Sequence, residues 1–161
     1  MPAPAADRSS TRMPTPTPDA TEYPGHELFL PYLVNKATTV LNVRLQKILD
    51  LQGLTLTHWR VLAFLSRQDD LTMGELASNT MTEQSTLSRS LRALETQGFV
   101  LREASPNDSR AVHVHLLAAG RAAFEDILKS VLGLEAEFTR GIAQADIECA
   151  RGVLLKIIAN G

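Results

Sequence analysis

Apolar residues recur at helical spacing along most of the chain and change to strict alternation over one short stretch of its second half. Between Leu28 and Leu51, the set Leu33, Ala37, Val40, Leu41, Ile48 and Leu49 predicts one long helix, with Pro31 tolerated in its first turn and Gly53 as its stop. Val34, Val43 and Leu45 widen this stripe beyond one face. A helix of that kind is buried on more than one side, either as a central core helix or as one shared with a second subunit. A second helix is expected to open on Thr57 as its N-cap, to carry Trp59, Val61, Leu62, Phe64 and Leu65, and to end at the polar run 67–70.

Thr72 and Glu75 have the spacing of a capping box, in which the hydroxyl accepts from the Glu75 amide and the carboxylate reaches back to the Thr72 amide. A short helix comes next, with Leu76 and Ala77 inward, and breaks at residues 78–80. Thr82 is expected to cap the next helix, which runs to Gln97 and stops at Gly98. Two short helices joined by so tight a turn make a helix-turn-helix candidate.

The second of these helices carries the most information. Leu87, Leu91 and Leu94 form a narrow apolar stripe, and the opposite face collects Ser85, Arg89 and Arg92, flanked by Thr86 and Ser88. Short hydroxyls and guanidinium groups without a large apolar side chain suit a major groove, where Arg grips guanine O6 and N7 and Ser or Thr contacts bases or phosphates. The competing reading is a solvated face whose arginines pair with Glu83 or Glu95.

The segment after Gly98 favours the first. Residues 99–104 and 111–117 flank a turn at 105–110 that contains Pro106, Asn107 and Asp108. Val112, Val114 and Leu116 alternate with His113 and His115, the period of a half-buried strand. A hairpin directly after a recognition-helix candidate makes a winged helix. Its tip holds Arg110, suited to the negative potential of a minor groove, with Asp108 placed to steady the guanidinium.

Further on, residues 121–141 predict a long helix with Phe124, Ile127, Leu128, Val131 and Phe138 inward. A last helix, beginning at Asp146, is apolar nearly all round through Ile147, Val153, Leu154, Leu155, Ile157 and Ile158, so a partner surface is expected for it. The fold class is therefore mainly α with a small β-wing: a winged helix-turn-helix, residues 54–118, with dimerisation helices at 28–51 and 120–160 inside one domain, 26–161.

Composition narrows the picture without changing it. The 161 residues hold 16 Lys and Arg against 18 Asp and Glu, so the overall charge does not announce a nucleic-acid binder. Placement favours one modestly: residues 85–121 contain five Arg against Glu95, Glu103 and Asp108, a local excess of two positive charges. No apolar run has the length of a membrane-spanning helix. Six of the eight prolines fall in residues 1–25, which read as a disordered arm rich in Pro, Ser and Thr without the apolar core of a signal peptide. One cysteine, Cys149, fits a reducing, cytoplasmic setting and reads as a buried structural thiol.

Taken together, Trp59-Arg-Val-Leu-Ala63, Leu71-Thr-Met-Gly-Glu-Leu-Ala77, Gln84-Ser-Thr-Leu-Ser-Arg89, Leu94-Glu-Thr-Gln-Gly-Phe-Val100 and Asn107-Asp-Ser-Arg-Ala111 resemble the MarR family of bacterial transcription regulators, in order and spacing, over residues 28–160. The resemblance implies a homodimer on double-stranded DNA at a pseudo-palindromic operator, most often as a repressor. Arg89 with Ser85, Thr86 and Ser88 would read bases, and Arg110, steadied by Asp108, would be the wing arginine. Ser109 departs from the second basic residue of many relatives, and Leu117 from the Thr that often caps the next helix. Relatives commonly release DNA when a small aromatic or phenolic acid enters a cleft beside the dimer helices. Here Tyr32, Asn35, Arg44, His58 and Arg60 would line it, with Arg44 suited to a carboxylate.

No enzyme is expected, since the metalloprotease, nucleophile-elbow and phosphate-loop motifs are absent from the sequence, and no cofactor is implied. His113 and His115 share a strand face, but no carboxylate or thiol partner is evident for a metal site. The alternative from another class is a winged-helix protein-interaction module without specific DNA binding.

Overall fold

The computed structural model describes residues 24–104 and 111–160. The expected arm, 1–25, and the turn at 105–110 lie almost wholly outside them. The chain divides into two compact units, Met1–Thr38 and Thr39–Gly161. In the first, Gly25 at φ 82° turns the chain into helix α1, Leu30–Asp50, where Pro31 sits in the first turn as expected. There Tyr32 packs on His26, ring centroids 5.6 Å apart, with the Lys36 ammonium 5.8 Å from its ring.

The second unit continues α1 and adds α2 (Leu56–Arg67), β1 (Leu71–Thr72), α3 (Met73–Thr80), α4 (Gln84–Thr96), β2 (Val100–Ala104), β3 (Val112–Leu116), α5 (Ala118–Phe138) and α6 (Gln144–Asn160). The three strands form an antiparallel sheet in the order β1-β3-β2, with Leu71 opposite Val114 and Arg102 opposite Val114 on the other side. The two-residue β1 is too short for an alternation pattern to reveal. The core gathers Leu49, Leu62, Leu76, Leu91, Val114 and Ile127, all fully buried, from five helices and the sheet. Each leucine removed from water contributes about 1.5–3 kcal/mol.

Several boundaries differ from the sequence reading: α6 begins at Gln144 rather than Asp146, α5 ends at Phe138 rather than 141, and three helix starts change for visible reasons. Helix α2 is capped by Thr55, not Thr57: the Thr55 hydroxyl accepts from the His58 amide at 3.2 Å, and His58 Nδ1 accepts from the Thr55 amide at 3.3 Å. A histidine does the work usually given to Glu or Gln. Thr82 does not cap α4. The Thr82 amide donates to Ala77 and so closes α3 behind Met81, which is left-handed at φ 51°, while its hydroxyl donates to the Thr80 carbonyl. Glu83 stands at the N-cap, its side chain bonded to none of the helix amides. Helix α5 begins at Ala118 rather than Arg121, because the Leu117 amide is satisfied by the Phe99 carbonyl at 3.0 Å and no side-chain cap is used. A Cβ on Gly120 would lie 2.2 Å from that same carbonyl, so α5 approaches the wing strand backbone to backbone.

Candidate nucleic-acid interface

The capping box of Thr72 and Glu75 forms as the sequence indicates, with 2.8 Å from the Thr72 amide to Glu75 and 3.2 Å from the Glu75 amide to the Thr72 hydroxyl. The Thr72 amide and hydroxyl hold the Glu75 carboxyl below its ordinary range. Helix α3 is thus anchored at its start. The left-handed Met81 at its end aims α4 across it.

In α4, Leu87, Leu91 and Leu94 are fully buried and Ser90 joins them. This fixes the rotation of the helix about its axis. Ser85, Arg89 and Arg92 are exposed in consequence, with Thr86 and Ser88 half-buried at the flanks. The Ser85 hydroxyl donates to Glu83 at 2.7 Å. Neither arginine forms an ion pair among the described residues. Glu95, one of the two carboxylates that could neutralise them, is engaged elsewhere. It accepts from Arg102 Nε at 3.0 Å, Nη2 at 2.5 Å and the Arg102 amide at 3.3 Å, bonds that hold its carboxyl below the ordinary range. Asp108 and Arg110, expected at the tip of the wing, lie outside the described residues.

The wing has a charged root that the sequence reading missed. His113 and His115 do have carboxylate neighbours, contrary to expectation: His113 Nδ1 lies 2.6 Å from Asp70, and His115 Nε2 lies 3.7 Å from Asp70 and 3.8 Å from Glu103. The Asp69 carboxylate also accepts from the Leu116 amide at 2.9 Å. Asp70 is left-handed at φ 61°, a conformation rare outside glycine, which turns the end of α2 back onto β3. Among the described residues, no group of three or more His, Cys, Asp or Glu side chains is arranged to hold a metal ion.

Of the residues expected to line a ligand cleft, Arg44, His58 and Arg60 have separate surroundings. Arg44 pairs with Glu137, and its guanidinium carbon stands 4.9 Å from the centre of the Phe138 ring. It lines a groove of about 520 Å³ with Lys47, Ile48, Ser130, Gly133 and Leu134. His58 is buried in the α2 cap, and burial lowers its pKa. Arg60 donates to the Thr80 carbonyl at 3.4 Å. Tyr32 and Asn35 belong to the N-terminal unit. Cys149, expected to be buried, is exposed on α6, a helix with no buried residue in the single chain. No described helix is long and apolar enough to cross a membrane.

Known proteins share this arrangement. A family model described as MarR family matches residues 52–111. The HTH-type transcriptional repressor Rv2887 of Mycobacterium tuberculosis is 34% identical over 93 residues, 58% of this chain and 67% of that one. A MarR-family transcriptional regulator from Silicibacter pomeroyi superposes with a TM-score of 0.77 at 34% identity, over 84% of this chain and 92% of its own. CouR from Rhodococcus jostii, solved with p-coumaroyl-CoA, superposes at 0.75 over 84% of this chain and 95% of its own, a likeness of fold alone at 18% identity.

Proposed function

Since the chain belongs to the MarR family of transcription regulators, we propose that it is a sequence-specific repressor that binds double-stranded DNA as a homodimer on a pseudo-palindromic operator. The observation that carries this reading is the outer face of α4. Two exposed arginines stand there without an ion pair among the described residues, beside hydroxyls, while Glu95 is committed to Arg102. A guanidinium so presented is ready for a guanine edge, and the N-terminal part of such a helix is what enters a major groove. Arg110, steadied by Asp108, takes the minor-groove role on this reading.

Dimerisation is supported by apolar side chains that the single chain leaves in water. Val43 on α1 is 55% exposed, and Leu155 and Ile158 on α6 are 60% and 74% exposed. Faces of this kind call for a partner, and a two-fold pair of α4 helices would match a two-fold operator. On this division, residues 54–118 read DNA, and 28–51 with 120–160 join the subunits, in the cytoplasm. We assign release to a small aromatic or phenolic acid. Its carboxylate would replace Glu137 on Arg44, above the Phe138 ring. CouR, of the same fold, holds an aromatic acyl-CoA.

The test is equilibrium binding to a randomised operator pool. Arg89→Ala is expected to cost about 1–3 kcal/mol per half-site and to relax preference at one position in each, with the melting temperature unchanged. Full affinity with unchanged base preference would overturn the recognition-helix assignment and favour a protein-interaction module.

A further inference from the structure

We propose that Glu95 is a positioning residue for DNA recognition: by gripping both the backbone and the side chain of Arg102, it fixes the pitch of the wing against α4. This rests on the DNA-binding reading above and adds to it a residue that need touch no DNA.

Arg102 is the one Lys or Arg in β2 and β3. An arginine on a wing strand invites a phosphate contact, yet three of its N–H groups go to a single carboxylate on α4. By strand alternation Arg102 falls on the same sheet face as the buried Val100, at the margin of the core. Its side chain is accordingly only 24% exposed, and Glu95 is its partner there. The backbone bond is the informative one. β2 is the outer strand of the sheet, and the amide of Arg102 on its free edge donates to Glu95. An ion pair between side chains alone would let the strand rock. Adding the backbone amide ties the strand itself to the helix. A fork of two N–H groups on one carboxylate gives geometric specificity beyond its strength.

The other strand of the hairpin is held independently, where Asp69 accepts from the Leu116 amide and Asp70 meets His113. The hairpin is thus gripped at β3 from the α2 corner and at β2 from the recognition helix. Arg102 pairs with Val114, and beyond them the strands continue to Ala104 and Val112. A strand advances about 3.3 Å per residue, so tilting one by about 10° moves a point five residues out by about 3 Å. A shift of that size separates a wing that meets its groove from one that misses it, while the α4 stripe stays packed.

The experiment is selection from a randomised operator pool by the full-length protein, with core and flanking positions scored separately and Tm recorded. Glu95→Ala is expected to lose roughly tenfold in affinity and to flatten flank preference, leaving the Arg89-dependent core preference and Tm nearly as in the wild type. Glu95→Gln keeps an oxygen for the Arg102 amide and loses the charge, and its loss, roughly threefold, is expected at the flanks alone. It carries the test if the alanine variant does not fold. Wild-type flank preference in both variants, or core and flank preference declining together, overturns the positioning role while leaving the DNA reading intact. A wild-type protein that selects no sequence overturns both.

Discussion

The lobe of α2, α3, α4 and the sheet buries most of its apolar side chains, Phe64 and Leu101 excepted, whereas α6 displays its own. Leu62, Leu76 and Leu91 are fully buried, while no residue of α6 is, although its second half reads Val153, Leu154, Leu155, Ile157 and Ile158. The lobe closes on itself because its helices and strands offer narrow stripes that meet. Leu87, Leu91 and Leu94 of α4 face one direction. Helix α6 is apolar on several faces, and no single neighbour in its own chain can cover them all. Apolar periodicity therefore reports that a side chain will leave water, and not whose surface it will meet.

The sharpest way to break this contrast is to remove an apolar side chain from each region. Leu62→Ala is expected to cost about 2–5 kcal/mol in denaturant unfolding, by the same amount at every protein concentration. Leu155→Ser opens no cavity in the lobe. Its expected effect is on association, so its loss of stability is recovered by raising protein concentration, and sedimentation shows a weaker dimer. A Leu155→Ser loss independent of concentration would erase the distinction.

Next in size are the helix caps within the lobe. Thr55→Ala is expected to cost about 0.5–2 kcal/mol, and Thr57→Ala to stay within about 0.5 kcal/mol of the wild type in urea titrations. Equal losses would show that α2 is anchored in solution differently from the Thr55–His58 box.

The smallest expected effect is a pH dependence. Burial lowers the pKa of His58 from the ordinary 6.5, so the unfolded chain takes up the proton first as pH falls. The stability this neutral ring contributes is full above about pH 6.5 and is lost as pH falls through the lowered folded value. His58→Gln preserves a capping box without a titrating ring. It is expected to match the wild type at about pH 8 and to lose less stability on acidification to about pH 5. Parallel pH profiles would remove His58 as the cause. The lowered carboxyls of Glu75 and Glu95 act in the same direction in a separate window, beginning only below their ordinary 4.5.

Local chemistry made much of the lobe readable from sequence. The α4 stripe, the Thr72–Glu75 box and the alternation of Val112, Val114 and Leu116 each act over a few residues, and each stands in the structure as the pattern implies. What escaped was set by distant partners. Thr55 became the cap because His58 can reach back to it, and because Gln46 on α1 donates to the Leu54 carbonyl and accepts from the Leu56 amide. Glu95 faces two arginines of its own helix in sequence, yet a strand residue seven positions on takes it. Asp70 looked like part of a polar break and proves to face two histidines more than forty residues away. The exposed position of Arg89 was readable from its own helix. Its freedom from Glu95 was not.

Where Gly120 passes the Phe99 carbonyl, nothing softer than main chain lies between α5 and the residue that leads into β2. Most joints between elements are cushioned by side chains that can change rotamer and absorb a small displacement. Here main chain meets main chain, with only the Leu116 side chain beside it, and the Leu117 amide bonds the same carbonyl. The start of α5 and the start of the hairpin are thus set against each other by main chain, with no rotamer between them to adjust their spacing. Any side chain added at residue 120 must push the two apart before it does anything else.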